Sequence, residues 1–383
     1  MKICFLNKSL DIHGGVGRYG RDIVENISRQ PGVEEVIVLT EEKGGYNLEK
    51  AILLSSHQLR NFVNFFINVL RVRKFIKKYD IIHALDGYPY GMIAALANIG
   101  INKKLIINGI GTYSILPLDQ PIKGPLTKWA YKKADKVLCI SRYTEKQLLK
   151  RVKLNNTIVI NHGVDYKKYA DFASDFSAKN KKDEKIVLSV GGGLKRRKGF
   201  HISIPAIGIV KKKYPNIKYY VVGSQTDDAD YVVDLRGLIK KYDLESNVMF
   251  LENLPDEELI KLYYLADLFL LVSVNIGSDF EGFGLVYLEA GACGRPAIGT
   301  FDCGAEDAIV NNVTGLLVPQ NDIQKTAEAV LRLFDNPGLA KKLGENGKKR
   351  AQEMSWDKIA KKYMEIYINI IRINGVVNNK ILE

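Results

Sequence analysis

The sequence contains few cysteines, and they form no recognisable motif. Its 383 residues include four cysteines, at positions 4, 139, 293 and 303, and no pair has the Cys-x-x-Cys spacing of redox or zinc motifs. Their spacing to the five histidines is not that of a zinc site either. The cysteine pattern therefore gives no sign of a metal site and favours a reducing compartment.

Long apolar runs are also missing. The longest weakly polar stretches, 62–70 and 88–101, fall well short of the roughly 20 apolar residues that span a bilayer. The apolar run 1–6 is too short for a signal-peptide core and predicts a buried first strand. We expect no transmembrane segment. With 46% hydrophobic residues and only 11 prolines, the chain has enough apolar material to fold as an ordinary globular protein.

Acidic residues are scarce in one half of the chain only. Residues 1–170 contain 27 Lys and Arg against 14 Asp and Glu, which leaves 29 of each sign among residues 171–383 and places the whole net charge of +13 in the first half. Such asymmetry predicts an anionic partner for that half: acidic lipid, a phosphorylated acceptor or nucleic acid.

Short apolar runs alternate with helical patterns along the whole chain. This alternation is typical of parallel α/β sheets, and it restarts after the polar, small-residue stretch DFASDFSAKNKKDE. We predict a first domain at 1–170, a linker at 171–185, a second domain at 186–355, and a C-terminal helix within 356–383 that packs back onto the first domain. Two doubly wound domains facing a central cleft follow, with ligands at the carboxyl ends of the strands.

The segment EGFGLVYLEA, from Glu281 to Ala290, is the most specific motif. Its two glycines let the backbone approach a ligand, and the apolar run after them opens a helix whose N-terminal amides and dipole favour phosphate. The eight-residue step from Glu281 to Glu289 corresponds to about 12 Å of helix, close to the span from a sugar to a ribose across a diphosphate. The alternative is a helix N-cap acid and an unrelated second glutamate.

This motif resembles the signature of the retaining glycosyltransferases of family 4, which have the GT-B fold of two Rossmann-like domains. The resemblance runs from about residue 1 to residue 375. It implies that Glu281 contacts the donor sugar and Glu289 the ribose. It also implies donor binding by the backbone that follows Glu281, namely Gly282, Phe283, Gly284 and Leu285, and by Leu254, where the nucleotide base would lie.

A cationic turn, GGGLKRRKG at residues 191–199, follows the predicted strand KIVLSV. Clustered cations at a strand end suit the charge of a departing diphosphate. The resemblance makes Lys198 the main contact. The family often has an arginine where this chain has Gly192, so we expect Arg196 or Arg197 to supply that charge. The alternative is a solvated turn.

Two patterns in the first half are candidates for a ligand site. Gly14, Gly15 and the following residues form a glycine-rich turn after the first strand, a weak pattern because many such turns need glycine for geometry alone. In the family this turn meets the donor phosphate and the acceptor. His83 and Asp86 end a predicted strand, where Asp86 would orient the acceptor hydroxyl or accept its proton. Alternatively, His83 is a buried histidine with satisfied hydrogen bonds.

Together these observations predict a metal-independent hexosyltransferase with no cofactor. Its donor would be a UDP- or GDP-linked sugar and its acceptor a glycan or a lipid-linked sugar of envelope polysaccharide or glycolipid synthesis. Basic residues beside the apolar stretch NFVNFFINVL predict a cytoplasmic protein that associates peripherally with an anionic membrane at the inner face of the plasma membrane. The alternative is that these lysines merely solubilise ordinary core helices.

Other functions are also compatible with a fold of this kind. An epimerase or a phosphorylase of the same fold would need different acid–base residues, so the glutamate pair favours transfer. A non-catalytic protein that binds an anionic surface is the third alternative. We expect no nucleic-acid partner, because the basic stretches lack interleaved aromatic residues.

Overall fold

The computed structural model describes residues 1–11, 15–55, 62–175 and 184–372. Within these ranges the chain forms two compact units. The first unit contains residues 1–163 and the C-terminal segment from Trp356, and the second contains Val164–Ser355.

The first unit is built on a parallel sheet. Its described strands are β1 (Lys2–Leu6), β2 (Glu35–Thr40), β3 (Glu49–Ala51), β4 (Ile81–Ala84), β5 (Lys104–Gly109), β6 (Lys136–Cys139) and β7 (Thr157–Val159). They are ordered β3-β2-β1-β4-β5-β6-β7, and Ile3 pairs with both Val36 and Ile81. All four residues of β4 are buried, because helices cover both faces of a parallel sheet and its strands must be apolar throughout.

Helices connect these strands. They are α1 (Gly15–Ser28), α2 (Phe62–Ile76), α3 (Met92–Ala97), α4 (Thr112–Ile115), α5 (Lys123–Lys133) and α6 (Arg142–Leu149). The last of them begins at a side-chain cap, where the Ser141 hydroxyl accepts from the Thr144 amide at 3.0 Å. The strand order reverses between β1 and β4, so their carboxyl ends flank the point where open α/β sheets bind ligands.

The second unit repeats this architecture. Its helices are α7 (Tyr166–Asp175), α8 (Phe200–Lys211), α9 (Ala229–Lys241), α10 (Asp256–Leu265), α11 (Leu285–Ala292), α12 (Ala305–Ala308), α13 (Ile323–Asp335) and α14 (Pro337–Glu353). Its described strands are β8 (Ile186–Gly193), β9 (Lys218–Ser224), β10 (Val248–Leu251), β11 (Leu268–Leu270), β12 (Ala297–Thr300) and β13 (Gly315–Val318). They are parallel and ordered β10-β9-β8-β11-β12-β13, so here the order reverses between β8 and β11.

Helix α7 occupies the start of the predicted linker. Residues 171–175 belong to this helix rather than to a connecting segment. The polar composition that suggested a linker conceals an aromatic face: Tyr169 is 2% exposed and lies edge-on to Tyr263, and Phe172 stacks on Tyr264 at 6.0 Å. Three-residue spacing places Tyr169 and Phe172 on the same side of a helix. Through that face α7 packs against the rest of the second unit.

Helix α15 (Trp356–Arg372) packs on the first unit through a buried polar network. The Tyr367 hydroxyl lies 2.7 Å from Nδ1 of His83, and Nε2 of His83 lies 2.7 Å from Oδ1 of Asn108. An amide oxygen only accepts hydrogen bonds, so Nε2 carries the proton and Nδ1 accepts from Tyr367. Asn108 in turn donates to Tyr19 on α1 at 2.8 Å. The network joins β4, β5, α1 and α15.

The predicted fold class is confirmed, because both units are doubly wound parallel α/β domains. None of the helices in the described ranges has the length and apolar character needed to cross a bilayer. All four cysteines are buried and unpaired with each other.

Two buried histidines of the first unit predict acid sensitivity. Burial lowers the pKa of both His83 and His162 from 6.5 to about 4. The unfolded chain therefore binds more protons below pH 6.5, and the free energy of unfolding falls between about pH 6.5 and pH 4. The expected slope is on the order of 1.4 kcal/mol per pH unit for each histidine.

Tryptophan fluorescence measures this effect in the first unit alone, because Trp129 and Trp356 both lie there. His83→Asn should lower stability at pH 7.5, since it breaks the network, and should make the pH dependence shallower. An unchanged slope in this variant would contradict the role assigned to His83.

Candidate active site

The cationic turn lies at the strand-order reversal of the second unit. After β8 the chain forms a short 3₁₀ turn at Arg196–Lys198 and then enters α8 through Gly199. A Cβ at Gly199 would lie 1.8 Å from the Val272 carbonyl oxygen, and its φ of +73° also requires glycine. The Val274 amide donates to the Arg197 carbonyl at 2.8 Å. Glycine thus lets the turn lie directly against the exit of β11.

A buried ion-pair cluster joins this turn to Glu281. Lys198 Nζ lies 2.6 Å from Glu281 Oε2, and Arg197 Nη1 lies 3.3 Å from the same oxygen. The Ser273 hydroxyl donates to it at 3.3 Å. Lys198 is 9% exposed and Glu281 7%. Residues 83 positions apart in sequence therefore share one small charged pocket.

The pKa values show which groups of this cluster are ionised at neutral pH. Burial opposes ionisation of Glu281, but the charges of Lys198 and Arg197 outweigh it and lower the pKa of the carboxyl to about 2. Burial also lowers the pKa of Lys198, partly offset by the charge of Glu281. Glu281 is thus ionised at neutral pH, and its charge favours a protonated Lys198. The pair presents an ammonium with three donors, so a bound anion can share it.

The glycines after Glu281 open helix α11. Gly284 is its N-cap with φ +82°, and among the described residues the cap position provides no side-chain hydrogen bond to the first turn. A Cβ at Gly284 would lie 2.3 Å from the Tyr287 ring. The Gly304 amide donates to the Glu281 carbonyl at 2.8 Å, and this hydrogen bond holds the backbone at Glu281 in place. Uncapped amides at a helix N-terminus bind anions, especially phosphate.

Glu289 lies further along α11 and is 2% exposed. Its Oε2 accepts a hydrogen bond from the Tyr263 hydroxyl at 2.8 Å. The sequence prediction included Glu289 but missed Tyr263, for which the only signal was the tyrosine pair in LYYLADLF. Both glutamates of the motif are therefore buried, and each has a different kind of partner.

The other predicted residues of this unit are less tightly grouped. Arg196 turns away from Glu281, because it pairs with Asp234 on α9 and lies over the Tyr231 ring at 5.1 Å. Arg197 is the arginine that contacts the pocket. Gly192 has φ +65° and open space around it, and Leu254 is half-buried after β10.

A recess of about 590 Å³ lies at the same edge of the sheet. Its walls come from the loops after β11, β12 and β13 and from α12: Asn275, Phe301, Asp302, Glu306, Pro319 and Gln320. The Gln320 side chain ties two of these loops together, because it accepts from the Asn275 amide at 2.7 Å and donates to the Phe301 carbonyl at 2.8 Å. Carboxylate, amide and aromatic groups of this kind suit a polyhydroxylated ligand.

The predicted residues of the first unit are not equally accessible. His83 is fully buried and both of its ring nitrogens are hydrogen-bonded. It is therefore the buried histidine with satisfied hydrogen bonds that the sequence offered as the alternative. Asp86 follows β4, and burial raises the pKa of its carboxyl well above the ordinary range. Its Oδ1 has no hydrogen-bond partner in the described part of the chain. Gly15 begins α1, and Gly14 lies outside the described residues.

The sequence matches two family models, one in each half. Residues 171–350 match the model described as glycosyl transferases group 1, and residues 13–168 match the model described as glycosyltransferase family 4. Together the two models account for most of both units.

Individual relatives agree with these models. The chain is 28% identical to an uncharacterized glycosyltransferase of Methanocaldococcus jannaschii over 355 residues, which are 90% of this chain and 92% of the relative. It is 32% identical to a GDP-mannose-dependent monoacylated alpha-(1-6)-phosphatidylinositol monomannoside mannosyltransferase of Corynebacterium glutamicum, over 58% of this chain and 59% of the relative. The crystal structure of Anabaena HepE in complex with UDP and glucose aligns with a TM-score of 0.79 and 21% identity, covering 96% of this chain and 100% of HepE.

The buried ion pair predicts how the free energy of unfolding changes when one or both of its members are replaced. Lys198→Met leaves the Glu281 carboxylate buried with Arg197 as its cation and should lower the free energy of unfolding of the second unit by about 3 kcal/mol. Adding Glu281→Gln removes the buried charge that has lost its nearest cation and should restore most of the loss. Differential scanning calorimetry measures both changes.

Lys195→Met is the matched control. Lys195 pairs with Asp227 at 3.0 Å, but both side chains are more than a third exposed, so its removal should cost less than about 1 kcal/mol. Equal losses in Lys195→Met and Lys198→Met would show that the buried pair has no special role.

Proposed function

This chain is a glycosyltransferase of the GT-B fold, and on that premise we propose that it transfers a hexose from a UDP- or GDP-linked donor to a glycan or lipid-linked acceptor. The reaction would retain the configuration of the sugar and use no divalent metal. The buried Lys198–Glu281 pair beside the uncapped start of α11 is the observation that carries this proposal.

The donor diphosphate fits the charges at this place. Lys198 and Arg197 supply two cations within one pocket, and the amides that follow Gly284 supply uncharged donors and the positive end of a helix dipole. These groups take the place of a metal ion, because they face the position where negative charge develops as the diphosphate leaves. Glu281 holds Lys198 in place and accepts hydrogen bonds from the donor sugar.

The reaction itself exchanges one bond for another. The bond between the anomeric carbon and the diphosphate oxygen breaks, and a bond to the acceptor oxygen forms on the same face. The acceptor proton passes to an oxygen of the departing diphosphate, with Asp86 as a second candidate base because one oxygen of its carboxyl has no hydrogen-bond partner in the described part of the chain. The stereochemical part of this proposal rests on the resemblance to the retaining family.

Relatives support a lipid-linked acceptor. Two of them, from Corynebacterium glutamicum and Mycolicibacterium smegmatis, are named as GDP-mannose-dependent mannosyltransferases of phosphatidylinositol monomannoside. The family models match transferases rather than epimerases or phosphorylases. A glycolipid acceptor also fits the excess of basic residues in the first half of this chain.

Helix α2 offers a surface for the membrane that such an acceptor occupies. Phe65, Val72 and Ile76 form its buried face, and these residues are the ordinary core residues of the alternative interpretation. Val63, Phe66 and Leu70 are 70%, 51% and 68% exposed, and their spacing places them on a second face. Core packing does not explain this outer stripe. Lys74, near the end of the helix, and Lys77, just after it, are also exposed.

This combination matches an anionic bilayer. Apolar side chains enter the interface between headgroups and acyl chains, while nearby lysines contact phosphate headgroups, each contributing about 1 kcal/mol near an anionic surface. We place the protein peripherally on the inner face of the plasma membrane, with the α2 stripe (Val63, Phe66 and Leu70) against the lipid.

Activity measurements test the donor site. Glu281→Ala and Lys198→Ala should each lower sugar transfer or donor hydrolysis by about 100-fold or more, because Lys198→Ala removes a cation that stabilises the departing diphosphate and Glu281→Ala removes the carboxylate that holds Lys198 and binds the donor sugar. Lys213→Ala is the control, since Lys213 pairs with Asp335 on an exposed surface. Donors are chosen from a thermal-shift screen of UDP, GDP and ADP sugars. Near-normal turnover in a folded Glu281 or Lys198 variant would refute the assignment.

Vesicle binding tests the membrane surface. The wild-type chain should sediment with phosphatidylglycerol-containing vesicles at low salt and not with pure phosphatidylcholine. Phe66→Asp should weaken this binding at least fivefold, because a carboxylate replaces the central residue of the stripe. Val233→Asp on α9, where Val233 is 69% exposed, is the matched control and should bind normally. Equal binding of both variants, or no binding by the wild type, would overturn the proposal.

A further inference from the structure

The recess at the carboxyl edge of the second unit's sheet differs in chemistry from the pocket around Glu281. Its volume of about 590 Å³ is within the range of pockets that take small ligands. We propose that this recess is a separate carbohydrate subsite, which binds one sugar ring that carries no negative charge. The inference goes beyond the proposed function, because equilibrium binding in the recess requires neither a nucleotide sugar nor transfer.

The charge of the recess opposes binding of a phosphate or a carboxylate. Among the described residues that line it, the charged side chains are those of Asp302 and Glu306, and both residues are exposed. This lining includes no lysine or arginine, so an anion would meet two carboxylates without a compensating cation. The pocket around Glu281 has the opposite arrangement, because Lys198 and Arg197 both contact one carboxylate oxygen. The two places therefore suit ligands of different charge.

A sugar ring has two kinds of surface, and the recess provides a partner for each. Its hydroxyl groups donate strong hydrogen bonds to carboxylates such as that of Asp302. Its C–H face packs on an aromatic ring, which the half-buried Phe301 provides, and Pro319 adds apolar surface to the same wall. The lining thus combines hydrogen-bond acceptors with apolar contact area, as recognition of a polyhydroxylated ring requires.

The loops around the recess hold one another in place. The Asn275 side chain donates to the Asp302 carbonyl at 2.8 Å, and Gln320 Nε2 lies 3.2 Å from the same oxygen. Asp302 has φ +56°, in the left-handed region that aspartate and asparagine adopt more readily than most residues with a side chain. The backbone that carries this carboxylate is therefore positioned before a ligand binds, which lowers the ordering cost of binding.

The recess adjoins the loop that contains Glu281. The Gly304 amide donates to the Glu281 carbonyl at 2.8 Å, and a Cβ at Gly304 would lie 2.1 Å from the Gly282 carbonyl oxygen. The Thr300 hydroxyl, at the end of β12, donates to the Ser273 carbonyl at 2.7 Å. If the proposed function holds, a ring bound in the recess is a unit of the glycan acceptor other than the one that receives the new sugar.

Simple glycosides test the subsite in saturation-transfer NMR titrations of the full chain. The probes are methyl α-mannoside, methyl α-glucoside, methyl N-acetyl-α-glucosaminide and the anionic methyl glucuronide. At least one neutral glycoside should bind with a Kd on the order of 1 mM, as suits so small a ligand. The glucuronide should bind at least about fivefold more weakly, because its carboxylate faces those of Asp302 and Glu306.

Asp302→Asn removes one charge and keeps the size of the side chain and its tolerance of the left-handed conformation. It should weaken binding of the neutral glycoside about fivefold and reduce the discrimination against the glucuronide. Asp243→Asn is the matched control, because Asp243 is also exposed, has φ +52° and lies outside the described lining of the recess. This control should bind every probe as the wild type does.

Three results would refute the subsite. They are a wild type that binds none of the neutral glycosides, a wild type that binds the glucuronide equally well, and equal weakening by Asp302→Asn and Asp243→Asn.

Glu281→Gln separates this inference from the proposed function. It should leave binding of the neutral glycoside unchanged. Loss of that binding in Glu281→Gln, with normal binding in Asp302→Asn, would place the sugar at the proposed donor site and overturn the inference while the proposed function stands. A wild type that binds the glycosides but no UDP, GDP or ADP sugar would instead remove the proposed function, and with it only the acceptor role of the recess.

Discussion

The arrangement of the second unit depends on the burial of one ion pair at the ends of two neighbouring strands. Burying Lys198 or Glu281 alone would cost several kcal/mol, so each is tolerated only because the other lies 2.6 Å away. That distance requires the turn after β8 to lie directly against the exit of β11. Gly199 makes this contact possible, because any side chain there would collide with the Val272 carbonyl.

The same constraint explains the shape of the motif around Glu281. Its backbone is held by the Gly304 amide, and the chain then turns through Gly284 into α11 without a side-chain cap. A conventional serine or aspartate cap would satisfy the first amides of the helix. Glycine leaves those amides without a cap from its own side chain, close in sequence to the carboxylate that two cations contact. The proposed anion site thus depends on how these loops pack at the edge of the sheet.

The first unit uses buried polar groups differently. His83, Asn108, Tyr19 and Tyr367 form a network in which neutral donors and acceptors meet, and it attaches the C-terminal helix α15 to the sheet. No charge is needed, since burial keeps His83 neutral at physiological pH. Asp86 lies near the end of the same strand, yet its carboxyl has an unpartnered oxygen within the described structure. His83 therefore has a structural role, whereas the carboxyl of Asp86, three positions later, has an oxygen that the described structure leaves without a partner.

The sequence by itself determined the alternation of strands and helices, and with it the two doubly wound domains, because apolar periodicity and glycine positions are local properties. It also predicted Glu281, Glu289 and Lys198 as site residues through their motifs. Tertiary structure decided which arginine joins Lys198 at Glu281: Arg196 and Arg197 are adjacent and chemically equivalent, but the turn directs one to Asp234 and the other to Glu281. Tyr263, the aromatic face of α7 and the buried state of His83 were likewise settled only by packing, since they depend on contacts between residues distant in sequence.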